Sequence, residues 1–173
     1  FNAIPLLAES DRVIITRTLS KSYSLAGLRV GYALASKEVI SILNKAREVY
    51  NVDRLAQIIA QIALKDREYF QETTRKIISA RDRVYKTFID WQWDTYPSGT
   101  NFLFTQPLNY SKTYGRDIAE DLYKYLNDNN VFIRYFPSNQ LTSSFLRISI
   151  GKEEEMDMLM ELISTWKIQE QPK

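Results

Sequence analysis

A lysine and an arginine lie eight residues apart in the segment TLSKSYSLAGLRVGYAL, which covers residues 18–34. Lys21 follows the hydroxyl residues Thr18 and Ser20, and Arg29 follows a stretch that contains glycine. Burial disfavours the charged form of an amine, and an uncharged amine can attack an aldehyde. A guanidinium binds phosphate through two parallel hydrogen bonds, and hydroxyl groups add further donors. These residue types together would suit an aldehyde that carries a phosphate.

Gly27 is predicted to let the backbone approach the bound group more closely than a β-carbon would allow. Pyridoxal phosphate combines an aldehyde with a phosphate, and its ring is an electron sink. The residues alone leave an ordinary surface lysine as the alternative, because a serine–lysine pair with an arginine downstream is a common pattern.

Two short runs rich in β-branched residues, 12–19 and 28–35, flank the lysine turn and predict two buried strands. Ser36 is a suitable N-cap for a helix whose apolar positions continue to Tyr50. Two more stretches have helical periodicity. They are RLAQIIAQIAL, with Leu55, Ile58, Ile59 and Ile62 on one face, and a long helix from about Arg67 to Asp90.

The pattern changes after Trp93, where prolines and glycine surround an aromatic run. Here we predict a turn and strand within 96–107, a helix at 115–130, strands at 131–136 and 144–150, and a helix at 152–167. The fold class is therefore α/β, with one domain at 1–90 that includes the long connecting helix and a smaller α+β domain at 91–173. A structure without strands at 12–17 and 145–150 would contradict this prediction.

Composition narrows the possible functions. The chain has 23 basic and 21 acidic residues and a net charge of +2, without a basic stripe, so no nucleic-acid partner is predicted. No apolar run reaches the length of a membrane span, and a cytoplasmic location is the simplest prediction. The sequence has no histidine and no cysteine, which excludes thiol catalysis, serine–histidine triads and the usual zinc sites, and no metal is predicted.

The string TRTLSKSYSLAGLRVGYALAS resembles the cofactor-binding lysine segment of the class I/II, fold-type I aminotransferases, and is most similar to their histidinol-phosphate branch. The resemblance implies pyridoxal 5′-phosphate as cofactor, with Lys21 as the Schiff-base lysine and proton carrier. It also implies that Ser20, Arg29 and Thr18 bind the cofactor phosphate. The spelling YSLAG is a mild departure from the commoner F-G-L-A-G of the family.

Three further segments, PSGTNFLF, VFIRYF and LRISIG, match family motifs in the expected order. By this resemblance Asn101 lies near the substrate, Arg147 binds an anionic group of the substrate, and Arg134 holds its phosphate. The alternatives are an ordinary turn residue for Asn101 and solvent-facing edge-strand charges for the two arginines.

The resemblance implies a homodimeric aminotransferase that converts histidinol phosphate and 2-oxoglutarate into imidazole acetol phosphate and glutamate. Its substrates would be small molecules, namely a phosphorylated amino alcohol or amino acid and a 2-oxo acid. The chain begins at a phenylalanine, and we expect it to be the C-terminal portion of such an enzyme, inactive by itself. The alternatives are an enzyme similar to threonine-phosphate decarboxylase and a non-catalytic α+β module that acts only by association.

Overall fold

The computed structural model describes residues 2–169. The chain divides into two compact units, here called unit 1, which extends to Glu72, and unit 2, which starts at Thr73. The boundary lies inside the long helix Arg67–Asp90. The predicted division after residue 90 refers to the domains of the whole protein and stays a prediction. None of the helices within the described range is both long and apolar enough to cross a bilayer.

Unit 1 contains a two-stranded antiparallel sheet and several helices. Their bounds are α1 Leu6–Glu9, β1 Ile15–Thr18, β2 Gly31–Leu34, α2 Lys37–Ala46, α3 Arg54–Lys65 and the start of α4 Arg67–Asp90. Ile15 lies opposite Leu34, and Thr18 lies opposite Gly31 at the end of the hairpin. A single turn of 3-10 helix, Ala26–Leu28, lies in the connection between the strands. The predicted strand–turn–strand is therefore confirmed.

The burial predicted for these two strands is wrong within this chain. Only Ile15 is buried in β1, and β2 contains no fully buried residue. Because the sheet has two strands, each of them is an edge strand. Helix α3 shows a related difference, because it buries Ala56 and Ala60, whereas its large aliphatic side chains are exposed. These are Leu55, Ile58, Ile59, Ile62 and Leu64.

Helix α2 begins where the sequence predicted. The Ser36 hydroxyl accepts a hydrogen bond from the backbone N–H of Val39 at 3.4 Å, which satisfies one free donor of the first turn. The helix ends at Ala46 because the backbone of Arg47 is extended. Tyr50 therefore lies beyond the helix and is 91% exposed, so the predicted helical face extends too far.

Unit 2 is a four-stranded antiparallel sheet with three helices. Its elements are the rest of α4, β3 Asp94–Thr95, β4 Phe102–Gln106, α5 Arg116–Asp128, β5 Arg134–Tyr135, β6 Leu146–Ser149 and α6 Glu153–Gln169. The strand order is β3-β4-β6-β5. Strand β1 overlaps the segment 12–17 and strand β6 lies within the segment 145–150, so the α/β prediction passes that test.

One face of the unit 2 sheet forms the core with the helices. Leu103, Leu146 and Ile148 are almost fully buried on this face. Successive side chains of a strand point to opposite faces, so the residues between them lie on the other face. Phe104 and Arg147, which are partners across β4 and β6, are two of these. The helices contribute the remaining core residues, including Val84, Phe88, Leu122, Leu126, Leu159, Ile163 and Trp166.

Candidate active site

The hydroxyl residues before Lys21 lie together at the end of the β1–β2 hairpin. Thr18 Oγ1 donates a hydrogen bond to Ser20 Oγ at 2.8 Å and accepts one from the Ser20 backbone N–H at 3.1 Å. Leu19 lies between them with its side chain buried, and its backbone N–H donates to the Val30 carbonyl. The buried leucine anchors the segment and keeps the two hydroxyls adjacent.

Lys21 lies in the turn that follows β1. Its carbonyl accepts a hydrogen bond from the Ser24 N–H at 3.0 Å, which closes the turn. Its side chain is exposed, and in the part of the chain that the structure describes its amine has no carboxylate partner. The amine is accessible to solvent in this chain, because the turn lies at the end of a sheet whose two strands are themselves largely exposed.

Arg29 lies near the other end of the same connection. Its backbone is left-handed, with φ at 54°, which few residues other than glycine adopt. One guanidinium nitrogen, Nη1, donates to the Ala26 carbonyl at 2.8 Å. The side chain is exposed. This single bond holds the guanidinium against its own loop, while the other N–H donors remain available to an anion.

The close backbone contact within this chain is at Gly31. An added β-carbon at Gly27 would meet no protein atom within 4 Å, so the close approach of Gly27 to a bound group stays a prediction. A β-carbon at Gly31 would lie 2.8 Å from the carbonyl oxygen of Arg17. Gly31 is opposite Thr18 in the hairpin. The close backbone contact is therefore part of the strand pairing that carries the hydroxyl residues.

These two glycines give a matched pair of substitutions. Gly31→Ala should force the hairpin apart and cost about 1–3 kcal/mol of stability. Gly27→Ala should change stability by about 0.5 kcal/mol or less, since the site has space for a methyl group. Thermal melting of the two variants would measure the difference. Equal melting temperatures would contradict the assignment of the close contact to Gly31.

The second group of predicted residues lies in unit 2. Asn101 precedes β4 and is half-buried, and its backbone carbonyl accepts a hydrogen bond from the Ile150 N–H at 2.9 Å. This bond extends the pairing of β4 with β6. Within residues 2–169 its side-chain amide makes no hydrogen bond, so the predicted contact with substrate stays a prediction.

Arg134 and Arg147 are direct partners across strands β5 and β6. Directly opposite residues of an antiparallel pair point to the same face, so the structure brings the two arginines together. Neither guanidinium has a carboxylate partner among the described residues. The Nε atom of Arg147 is buried and has no hydrogen-bond partner. Two like charges placed opposite each other repel, so this pairing is destabilising unless an anion lies between them.

Aromatic rings lie beneath both guanidiniums. Their residues were not among the site residues predicted from the sequence. The ring of Phe136 is 5.5 Å from the guanidinium carbon of Arg134 and 5.8 Å from that of Arg147. Phe102 approaches Arg147 at 5.4 Å. The sequence did contain a signal, because Arg134 and Phe136 are two residues apart and therefore share a face of an extended segment.

Tyr135, which lies between Arg134 and Phe136, has a packing role. Its ring contacts that of Tyr123 at 5.5 Å, and its hydroxyl donates to the Arg116 carbonyl at 3.4 Å. Burial is the main cause that raises the pKa of Tyr135. These contacts are those of a structural side chain.

The comparisons with known proteins agree with the fold and the motifs. The family described as aminotransferase class I and II matches residues 1–163. The chain belongs to this family of aminotransferases.

Comparison with individual relatives gives a more specific result than the family match. The chain is 44% identical over 161 residues to the histidinol-phosphate aminotransferase of Geotalea uraniireducens, with 93% of this chain and 44% of that protein aligned. It is also similar to the crystal structure of histidinol-phosphate aminotransferase from Sinorhizobium meliloti in complex with pyridoxal-5′-phosphate. That likeness has a TM-score of 0.74 and 31% identity, over 90% of this chain and 42% of the other.

A second similar structure is L-threonine-O-3-phosphate decarboxylase from Porphyromonas gingivalis. It has a TM-score of 0.68 and 21% identity, over 93% of this chain and 48% of that one, and shows the fold alone. The chain spans less than half the length of the curated relatives it matches. The prediction of an α/β fold shared with part of these aminotransferases is confirmed.

Proposed function

We propose that this chain is the C-terminal portion of a pyridoxal-phosphate-dependent aminotransferase that acts on histidinol phosphate. The observation that carries the proposal is the pairing of Arg134 with Arg147, two guanidiniums on one sheet face without carboxylate partners among the described residues. Such a pair suits a phosphate group. The 44% identity to a histidinol-phosphate aminotransferase supports the same substrate.

The residues of the hairpin connection fit pyridoxal phosphate as a cofactor. The group supplies an electron-withdrawing ring that stabilises negative charge at the carbon bearing the amino group. The exposed amine of Lys21 is a nucleophile for an aldehyde. The adjacent hydroxyls of Thr18 and Ser20 and the free donors of the Arg29 guanidinium suit a phosphate. The donor set therefore matches both ends of the cofactor.

Lys21 would have two tasks in the whole protein. It would hold the cofactor covalently in the resting enzyme and then, once the substrate amine has displaced it, act as the acid–base. In the second task its amine would move a proton from the substrate α-carbon to C4′ of the cofactor. Thr18, Ser20 and Arg29 would bind the cofactor phosphate and fix its position relative to Lys21.

Substrate binding is assigned to unit 2. Arg134 and Arg147 would bind the phosphate of the amino substrate, and Arg147 would also serve the carboxylate of the 2-oxo acid, with Asn101 near the substrate. Each charge-assisted hydrogen bond contributes on the order of 1.5–3 kcal/mol. Assembly as a homodimer and a cytoplasmic location stay predictions of the resemblance. The chain alone is predicted to be inactive and to bind cofactor weakly.

A decarboxylase of threonine phosphate is the second candidate. The pairing of Arg134 with Arg147 favours it as well, because the same two arginines would suit the phosphate of that substrate. The two functions differ in the bond that breaks, since transamination removes the α-proton and decarboxylation removes the carboxylate.

A substrate comparison on the whole protein distinguishes them. We expect histidinol phosphate with 2-oxoglutarate to yield glutamate at a rate far above that with threonine phosphate as donor. Release of carbon dioxide from threonine phosphate, without glutamate formation from histidinol phosphate, would overturn the proposal in favour of the decarboxylase. Absence of both activities would favour the non-catalytic module.

A further inference from the structure

Phe136 lies on the face of the unit 2 sheet that is opposite the core. Its ring lies near both guanidiniums, at 5.5 Å from that of Arg134 and 5.8 Å from that of Arg147. The second aromatic neighbour, Phe102, contacts Arg147 alone. Phe136 is thus the aromatic residue shared by the two arginines within the described part of the chain.

The aromatic ring and a carboxylate would hold these arginines in different ways. A carboxylate would neutralise a guanidinium and accept the N–H donors that a phosphate needs. The face of an aromatic ring attracts a cation through its quadrupole and accepts none of the in-plane N–H bonds. Arg147 shows the result, because its Nε is buried and keeps an unused donor. The phenylalanine can therefore hold two like charges near each other and leave their donors free.

The position of the Phe136 ring is itself fixed by other rings. Phe104 lies edge-on to Phe136, with centroids 6.5 Å apart and planes at 62°. Phe104 in turn stacks on Phe145 at 4.8 Å with planes 10° apart. Phe145 is buried, and Phe136 is half-buried. This row of rings connects the shared phenylalanine to the buried side chain of Phe145.

We propose that Phe136 is a positioning residue that holds Arg134 and Arg147 in a joint phosphate-binding arrangement through cation–π contacts. This inference rests on the proposed function, because it deepens the assignment of the two arginines to the substrate phosphate. It predicts that phosphate binding depends on the quadrupole of the ring as well as on the volume of the ring.

Kinetics of the whole protein with two amino donors test the inference. Phe136→Leu should raise the Michaelis constant for histidinol phosphate about five- to tenfold, because the guanidiniums lose a shared partner. The constant for histidinol, which has no phosphate, should change by about twofold or less. Phe136→Tyr, which keeps a ring, should restore most of the loss. Calorimetric binding of inorganic phosphate to the cofactor-loaded protein should weaken in parallel.

Two further variants separate positioning from stability. Phe132→Leu removes a ring that is 77% exposed and has no guanidinium contact among the described residues, and it should not change the preference for the phosphorylated donor. Pentafluorophenylalanine at position 136 keeps the shape of the ring but reverses its quadrupole. It should weaken phosphate binding as Phe136→Leu does, at an unchanged melting temperature. If Phe136→Leu fails to fold, the pentafluorophenylalanine variant tests the positioning role instead.

The outcomes distinguish a failure of this inference from a failure of the proposed function. If Arg134→Ala selectively weakens binding of the phosphorylated donor while Phe136→Leu and the pentafluorophenylalanine variant behave like Phe132→Leu, the positioning role is overturned and the proposed function stands. If Arg134→Ala affects histidinol phosphate and histidinol equally, the phosphate site is wrong and the inference is overturned with it.

Discussion

Lys21→Ala in the whole protein is expected to lower the turnover of histidinol phosphate by at least about a thousandfold. The reason is that one amine both holds the cofactor and moves the proton at the substrate carbon. Cofactor should still bind through its phosphate, because Thr18, Ser20 and Arg29 are unchanged. Steady-state kinetics and the loss of the absorption band of the lysine-bound cofactor would measure the two effects.

Two control variants sharpen this test. Lys21→Arg keeps a positive charge but lacks a nucleophilic amine, so it should be as inactive as the alanine variant. Lys65→Ala removes a lysine that is exposed at the end of α3, and it should leave turnover unchanged. Substantial activity in Lys21→Arg would show that Lys21 acts only through its charge.

Arg134→Ala has the second largest expected effect. It removes one half of the arginine pair on β5 and β6, and with it one or more charge-assisted hydrogen bonds to phosphate. The Michaelis constant for histidinol phosphate should rise about 10- to 150-fold, while that for histidinol should hardly change. Michaelis constants measured for both donors provide the comparison.

The matched control for this substitution is Arg83→Ala. Arg83 pairs with Glu153 and Asp157 at 2.8 Å, so its loss should affect stability without discriminating between the two donors. Arg134→Lys should recover part of the phosphate preference, because it keeps the charge and loses the fork geometry. A similar rise in both Michaelis constants for Arg134→Ala would contradict the phosphate assignment.

Sequence patterns predicted the secondary structure well where it depends on contacts between residues close together in the chain. The Ser36 cap and the helical period of α4 depend on residues three or four apart, and both are found. Burial was predicted less well, because it depends on what covers a surface. The β-branched run of β1 predicts a buried strand, but three of its four residues are exposed. The short strand β3 was missed because two residues carry no periodicity.

Some contacts of the candidate site follow from local spacing in the sequence, and others depend on how the strands pair. The adjacency of Thr18 and Ser20 follows from their spacing, since alternate residues at a strand end lie on one side. The adjacency of Arg134 and Arg147 depends on the register of β5 with β6, which no local pattern fixes. The close glycine also depends on the register, because Gly31 contacts the opposite strand.

Borohydride reduction of the cofactor-loaded whole protein, followed by peptide mapping, tests the central claim most directly. Reduction makes the link between the cofactor and its lysine permanent, so the labelled peptide identifies that lysine. We predict that the label lies on Lys21, in the peptide that contains the hairpin turn. Label on a different lysine, or no labelled peptide from a protein that retains cofactor, would contradict the assignment of the cofactor site to this turn.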